Sequence, residues 1–210
     1  MGRFLNGDRY ASTGQDVLGT NMFAYCNNNP VNAVDPYGED AIWLQELNNQ
    51  ASRIAGHTGL LIQDGNNVWH YFNWNNSECT YIWIGDSLDD TENPWIAFIN
   101  NKYDNAIYFK GDFSGSCEYA KWLEITLSAK DYCLWRNNCM QRSVDVLMHG
   151  KFEQSDAYYK IFLQRVRNGV IPNVSFSRMF NFHNAVQTYH AAPRWARWLY
   201  TSPAEAVWIY

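Results

Sequence analysis

The chain has 210 residues, of which 47% are hydrophobic and 17% aromatic, ten of them tryptophan. That is enough apolar material for one compact domain with a sizeable core, and it excludes a disordered segment. The net charge of -5 and the lack of any basic run argue against a nucleic-acid partner. No apolar stretch reaches the ~20 residues of a membrane span, and the N-terminus lacks the apolar core of a signal peptide, so nothing in the chain itself is expected to carry it across a membrane. Five cysteines, an odd number without a CxxC pair, speak against a zinc site and against a dense disulfide framework. A reduced compartment with one reactive thiol among inert ones is the simpler expectation, with pairing of some of them left open.

In chain order, residues 1–38 come first, rich in Gly, Asn, Asp and Pro and dense in turn signals. "GRFLNGD" and then "NMFAYCNNNPVNAVDPYG" resemble the end of an Rhs/YD-repeat core, whose closing signature reads roughly Y-x-x-N-N-P-x-N-x-x-D-P-x-G. Tyr25, Asn28, Asn29, Pro30, Asn32, Asp35, Pro36 and Gly38 stand in matching positions. In that family the segment closes a β-shell around a variable C-terminal domain, often a toxin. Self-cleavage near the signature, with aspartates implicated, is known there, and Asp35 is the matching position. The resemblance implies a tail over residues 1–38, possible contact with an Rhs shell, and an independent bacterial effector domain over residues 39–210. It also implies delivery by a larger secretion system or action in a target cell, and a cognate immunity protein as partner.

Beyond the boundary, the spacing of Ile42, Leu44, Leu47, Ala51 and Ile54 predicts a helix stopped by Gly56. "HTGLLIQDGNNVWHYFNW" predicts a hairpin turning at 64–67, "CTYIWIGD" a third strand and "NAIYFKGDF" a fourth. A short helix is expected after Pro94. "SCEYAKWLEITLSA" predicts a helix with Tyr119, Trp122, Leu123 and Leu127 on one face, and "DYCLW" a short strand. Helices then follow at "CMQRSVDVL" and at "SDAYYKIFLQRVRNG". The last forty residues read as aromatic and irregular, ending in a short helix or an added strand. Antiparallel strands with helices grouped to one side make the fold class α+β.

The stretch "WRNNCMQRSVDVL" places Cys139 where a polar loop becomes a helix. Asn137 or Asn138 can cap it, and Met140, Val144, Leu147 and Met148 form its apolar stripe. A thiol in that first turn sits at the positive end of the helix dipole. The position favours a thiolate, and the backbone N–H groups there can hold an oxyanion. His57 opens a strand, with Gly59 on its side leaving room for a second chain to approach. Together, "GHTGLLIQDGNNVWHYF" and the downstream "NNCMQRSVDVL" resemble the circularly permuted papain-like superfamily. That group includes the NlpC/P60-like permuted enzymes and the lecithin:retinol acyltransferase group. The resemblance implies a permuted papain-like fold, Cys139 as nucleophile, His57 as base and His70 as third member, with Asn73 and Asn75 as alternative orienting residues. Asn138 is the candidate cap and oxyanion residue. Met140-Gln141 stand where the acyltransferase group has Glu-His, which weakens the lipid reading.

No GxSxG, HExxH, P-loop or GxGxxG is present, and neither a metal nor a cofactor is expected. The expected activity is thus that of a cysteine hydrolase of the amidase or peptidase type, acting on a peptide, cell-wall or lipid substrate. The alternatives are a thiol-dependent lipid acyltransferase or phospholipase, with Trp195, Trp198, Leu199 and Trp208 supplying an apolar surface, or a non-catalytic binding module on a degenerate scaffold.

Overall fold

The computed structural model describes residues 39–47, 55–90, 92–169 and 171–210; the side chains of Trp195 and Trp198 and the whole Rhs-like segment, Asp35 included, lie outside the described residues. The fold is α+β: a five-stranded antiparallel sheet with helices on both faces.

The first element corrects the expectation of a helix. Residues Ala41–Glu46 form strand β1, and Ala41, Ile42, Trp43 and Leu44 are all buried. A run that is apolar at every position fits a helix or a strand covered on both faces, and periodicity cannot separate the two. Here β1 lies inside the sheet, flanked by β2 (His57–Gln63) and later by β5, and both faces are covered. β3 (Trp69–Trp74) and β4 (Cys79–Gly85) follow as the predicted hairpin and third strand. Helix α1 (Pro94–Lys102) is capped by Asn93, whose side chain accepts from the Trp95 N–H, and leads into β5 (Asn105–Phe109). The sheet order is β4-β3-β2-β1-β5.

A two-stranded ribbon, β6 (Gly111–Asp112) with β7 (Lys151–Phe152), brackets helices α2 (Ser114–Thr126) and α3 (Cys139–Met148). The face α2 buries is Ser116, Cys117, Ala120 and Leu123, whereas Trp122 is 54% exposed. Small residues let α2 approach α3 closely enough for the Ser116 hydroxyl to donate to Val146 O at 2.7 Å. The predicted strand "DYCLW" is instead a 3-10 turn, Ala129–Asp131, then a tight loop in which Cys133 bridges Asn137.

Helices α4 (Asp156–Arg167), α5 (Pro172–Ala191) and α6 (Pro203–Ile209) complete the helical layer. The twenty residues of α5 correct the irregular reading of the C-terminal region. Its buried residues, Pro172, Ser175, Phe176, Met179, Phe182, His183 and Val186, recur at steps of three and four. Two of the seven are polar, which breaks the apolar stripe; buried His183 is satisfied by the Tyr159 hydroxyl at 2.7 Å.

The core is therefore double. Ala41, Trp43, Leu60, Ile62, Phe72 and Trp74 face the helical layer, while Ile42, Leu44, Leu61, Trp69 and Tyr71 face α1 and Tyr103. Alternation along β2 sends His57, Gly59 and Leu61 to the α1 side and Thr58, Leu60 and Ile62 to the helical side.

Candidate active site

Cys139 opens α3, and Asn138 is the cap. Its carboxamide oxygen accepts the Gln141 N–H at 3.0 Å, and the Gln141 side chain accepts the Asn138 N–H in return. This is a capping box built from Asn and Gln. The Asn138 amide nitrogen donates to Leu134 O at 2.8 Å, so both ends of the carboxamide hold the loop and neither faces a substrate oxyanion. Asn137 anchors the loop from outside: its N–H donates to Cys133 O, its carbonyl accepts from the Trp74 indole at 3.0 Å, and its side chain accepts from Arg142 Nε. Arg142 continues to Asp145 at 3.0 Å, and Asp145 also pairs with Arg167. The network ties the Cys139 loop to α3 and α4, and nothing in the residue spacing announced it.

Cys139 is 2% exposed. Hydrogen bonding from the Thr58 N–H and hydroxyl and from the backbone N–H groups of Met140 and Cys139 acts to lower its thiol pKa. The expected fall in thiol pKa does not occur: burial pushes it above the ordinary value, and those four donors only partly offset the rise. Cys79 and Cys117 are pushed up to about 12, by burial foremost. Cys79, Cys117, Cys133 and Cys139 are all free thiols; Cys26 lies outside the described residues.

His57 immediately precedes Thr58 in β2. Its Nε2 lies 2.6 Å from Asn73 Oδ1. A carboxamide oxygen can only accept, so Nε2 carries the proton and Nδ1 is the basic nitrogen. His57 is 4% exposed, and its pKa is pushed down to about 4, by burial first and by the nearby Lys102 charge second, with the Asn73 bond opposing. The room beside Gly59 is real, but Tyr103 fills it. A Cβ at Gly59 would lie 2.5 Å from the Tyr103 hydroxyl, which bonds Tyr71 at 2.6 Å. The Tyr103 ring stacks on His57, with centroids 6.3 Å apart. Lys102 lies over the Phe98 and Tyr103 rings. Gly56, just before His57, has φ +69°, and a Cβ there would run into Asn173 Oδ1 at 1.9 Å.

The four sequence candidates thus separate. His57 opens β2 with its ring on the α1 side, and Cys139 at the start of α3 is near enough to the next residue, Thr58, for Thr58 to influence its thiol. His70 is elsewhere. It pairs with Ile62 in the ladder, which turns it to the face opposite His57. There it bonds Asp64 at 3.1 Å and stacks on Tyr81. Asn73, directly across from Gly59, is the residue that bonds the His57 ring instead. Asn138 is a cap. Thr58, Lys102 and Tyr103 were not singled out from sequence. Among the described residues no cluster of three or more His, Cys, Asp or Glu side chains could hold a metal ion.

A cavity of about 210 Å³ lies at the same end of the sheet, between β1, β5 and α5. No family model, curated protein or solved structure matches this chain.

Proposed function

We propose that the domain is a cysteine hydrolase acting on an amide, with a permuted papain-like arrangement of nucleophile and base. The observation that carries the reading is a cysteine at the capped N-terminus of α3 together with a buried histidine whose Nε2 is committed to an asparagine; Thr58, the residue after that histidine, is among the groups that hold the thiol pKa down. In this reading thiol and imidazole are both neutral at rest, as their burial requires. His57 Nδ1 takes the thiol proton while sulfur attacks the carbonyl carbon. The N–H groups of Cys139 and Met140 turn from the sulfur to the oxyanion. Collapse of the tetrahedral adduct breaks the C–N bond, and the leaving amine takes the proton from His57. Water, deprotonated by His57, then cleaves the thioester. Asn73 holds the tautomer throughout. The resemblance of residues 1–38 to an Rhs core adds a toxin role, with an immunity protein as its partner.

The experiment compares native protein with Cys139→Ala and His57→Ala in release of new primary amines from a peptide mixture and from purified cell wall. Growth of bacteria carrying each variant in cytoplasm or periplasm is followed in parallel. Equal amine release by all three would sink the reading.

A second reading, a binding module on a catalytically silent scaffold, is favoured by one observation: Cys139 and His57 are both buried. The exposed Leu199, Trp208 and Ile209 favour a lipid acceptor over a peptide, and vesicle-bound phospholipid in the same assay tests that.

A further inference from the structure

The cavity between β1, β5 and α5 has a floor of buried Gln45 and Phe176 and a rim of exposed Asn105, Ser177 and Asn181, with half-buried Phe180 beside them. Its walls come from two rows of one helix: Phe176 and Phe180 four residues apart, Ser177 and Asn181 likewise. No charged side chain lines it. The floor amide is fixed at both ends. Gln45 Nε2 donates to Asn173 Oδ1 at 3.0 Å, and Gln45 Oε1 accepts from Asn105 Nδ2 at 3.0 Å. Gln45 also stands opposite Thr58 in the β1–β2 ladder, and both side chains face the helical side. Thr58 follows His57 in β2, so the cavity lies at the same end of the sheet as the candidate base.

We infer that this cavity is a substrate subsite for an uncharged, hydrogen-bonding side chain, best matched by a carboxamide such as glutamine. The inference rests on the amide-hydrolase reading above and names its substrate class. A volume of about 210 Å³ holds one side chain. The two phenylalanines take its aliphatic stem, and the amides and the serine hydroxyl serve a group that both donates and accepts. A carboxylate or ammonium of the same shape meets no opposite charge and loses its hydration.

The test uses Cys139→Ala protein labelled with 15N, titrated at pH 7 with the N-acetyl methylamides of glutamine, glutamate and norleucine. The glutamine probe is expected to shift the signals of Gln45, Asn105, Ser177 and Asn181, and the other two to bind at least tenfold more weakly. Ser177→Asp, on an exposed helix position, is expected to weaken the glutamine probe at least tenfold with an unchanged circular-dichroism spectrum. Equal binding of glutamine and glutamate probes, shifts confined to other residues, or no effect of Ser177→Asp would overturn the inference. Binding in Cys139→Ala involves no thiol, so the subsite stands or falls on this titration alone. The hydrolase reading stands or falls on the amine-release comparison.

Discussion

The β2–β3 hairpin carries a histidine at each end, and the two have opposite surroundings. At the open end His57 is buried, stacked on Tyr103 and bonded to the neutral amide of Asn73. At the turn end His70 is partly exposed and bonded to the carboxylate of Asp64. Burial raises the Asp64 pKa, but bonds from His70, Val68 and Asn66 outweigh it and the carboxyl ends below its ordinary value. The Asn73 amide fixes the His57 tautomer and only partly opposes the burial that keeps this ring neutral. The difference comes from parity: with Gly59 opposite Asn73, residue 57 shares a face with 73 and residue 62 with 70.

The widest separation between the two histidines is expected in activity. His57→Ala should lower amine release at least ~10³-fold, as should Cys139→Ala, while His70→Ala changes it less than about threefold. A comparable loss from His70→Ala would erase the distinction. The next effect is on stability. The His57 pKa is about 4 folded against 6.5 for the free side chain. Between these values the unfolded chain binds a proton that the folded one does not, so stability falls as pH drops from 6.5 toward 4 and is unaffected by this group above 6.5. The full difference is about 3 kcal/mol. Urea titrations at pH 7 and 4.5 should show it in native protein and lose it in His57→Gln.

Gly59→Ala comes third, at ~1–3 kcal/mol, because the new methyl overlaps the Tyr103 hydroxyl. Adding Tyr103→Phe removes the nearest atom, so the double variant should recover part of the loss; a strictly additive pair would count against that contact. The smallest effect belongs to the turn end. Asp64→Asn keeps an acceptor for the Asn66 and Val68 N–H groups and alters only the partly exposed contact with His70, so less than about 1 kcal/mol is expected in the same urea assay.

Strands β2 to β5, α1, α3 and α4 were legible because their residues follow one period or sit beside a clear stop signal. β1 was not: four consecutive apolar residues erase the alternation that marks a strand. α5 was not, because Ser175 and His183 interrupt its stripe, and the Tyr159 partner of His183 lies in α4. In the site, Cys139, its cap and His57 could be read locally. Asn73 was readable in principle, since the turn at 64–67 fixes which β3 residues share a face with His57. The Tyr103 contact with Gly59 and the Asp145–Arg167 pair join residues far apart in sequence, and no local pattern carries them. The thiol pKa went the other way from expectation because the first helical turn supplies only part of the balance, and burial the larger part.

One backbone amide has an unusual duty. The Thr58 N–H, at the start of an interior strand, is one of the groups that hold the Cys139 thiol pKa down. Its proton resonance is therefore a built-in gauge of the thiol. Alkylation, oxidation or acylation of Cys139 would change a single amide signal in the sheet by removing or altering its acceptor, before any wider rearrangement. That signal can be followed in living titrations without a substrate, a dye or a label on the cysteine itself.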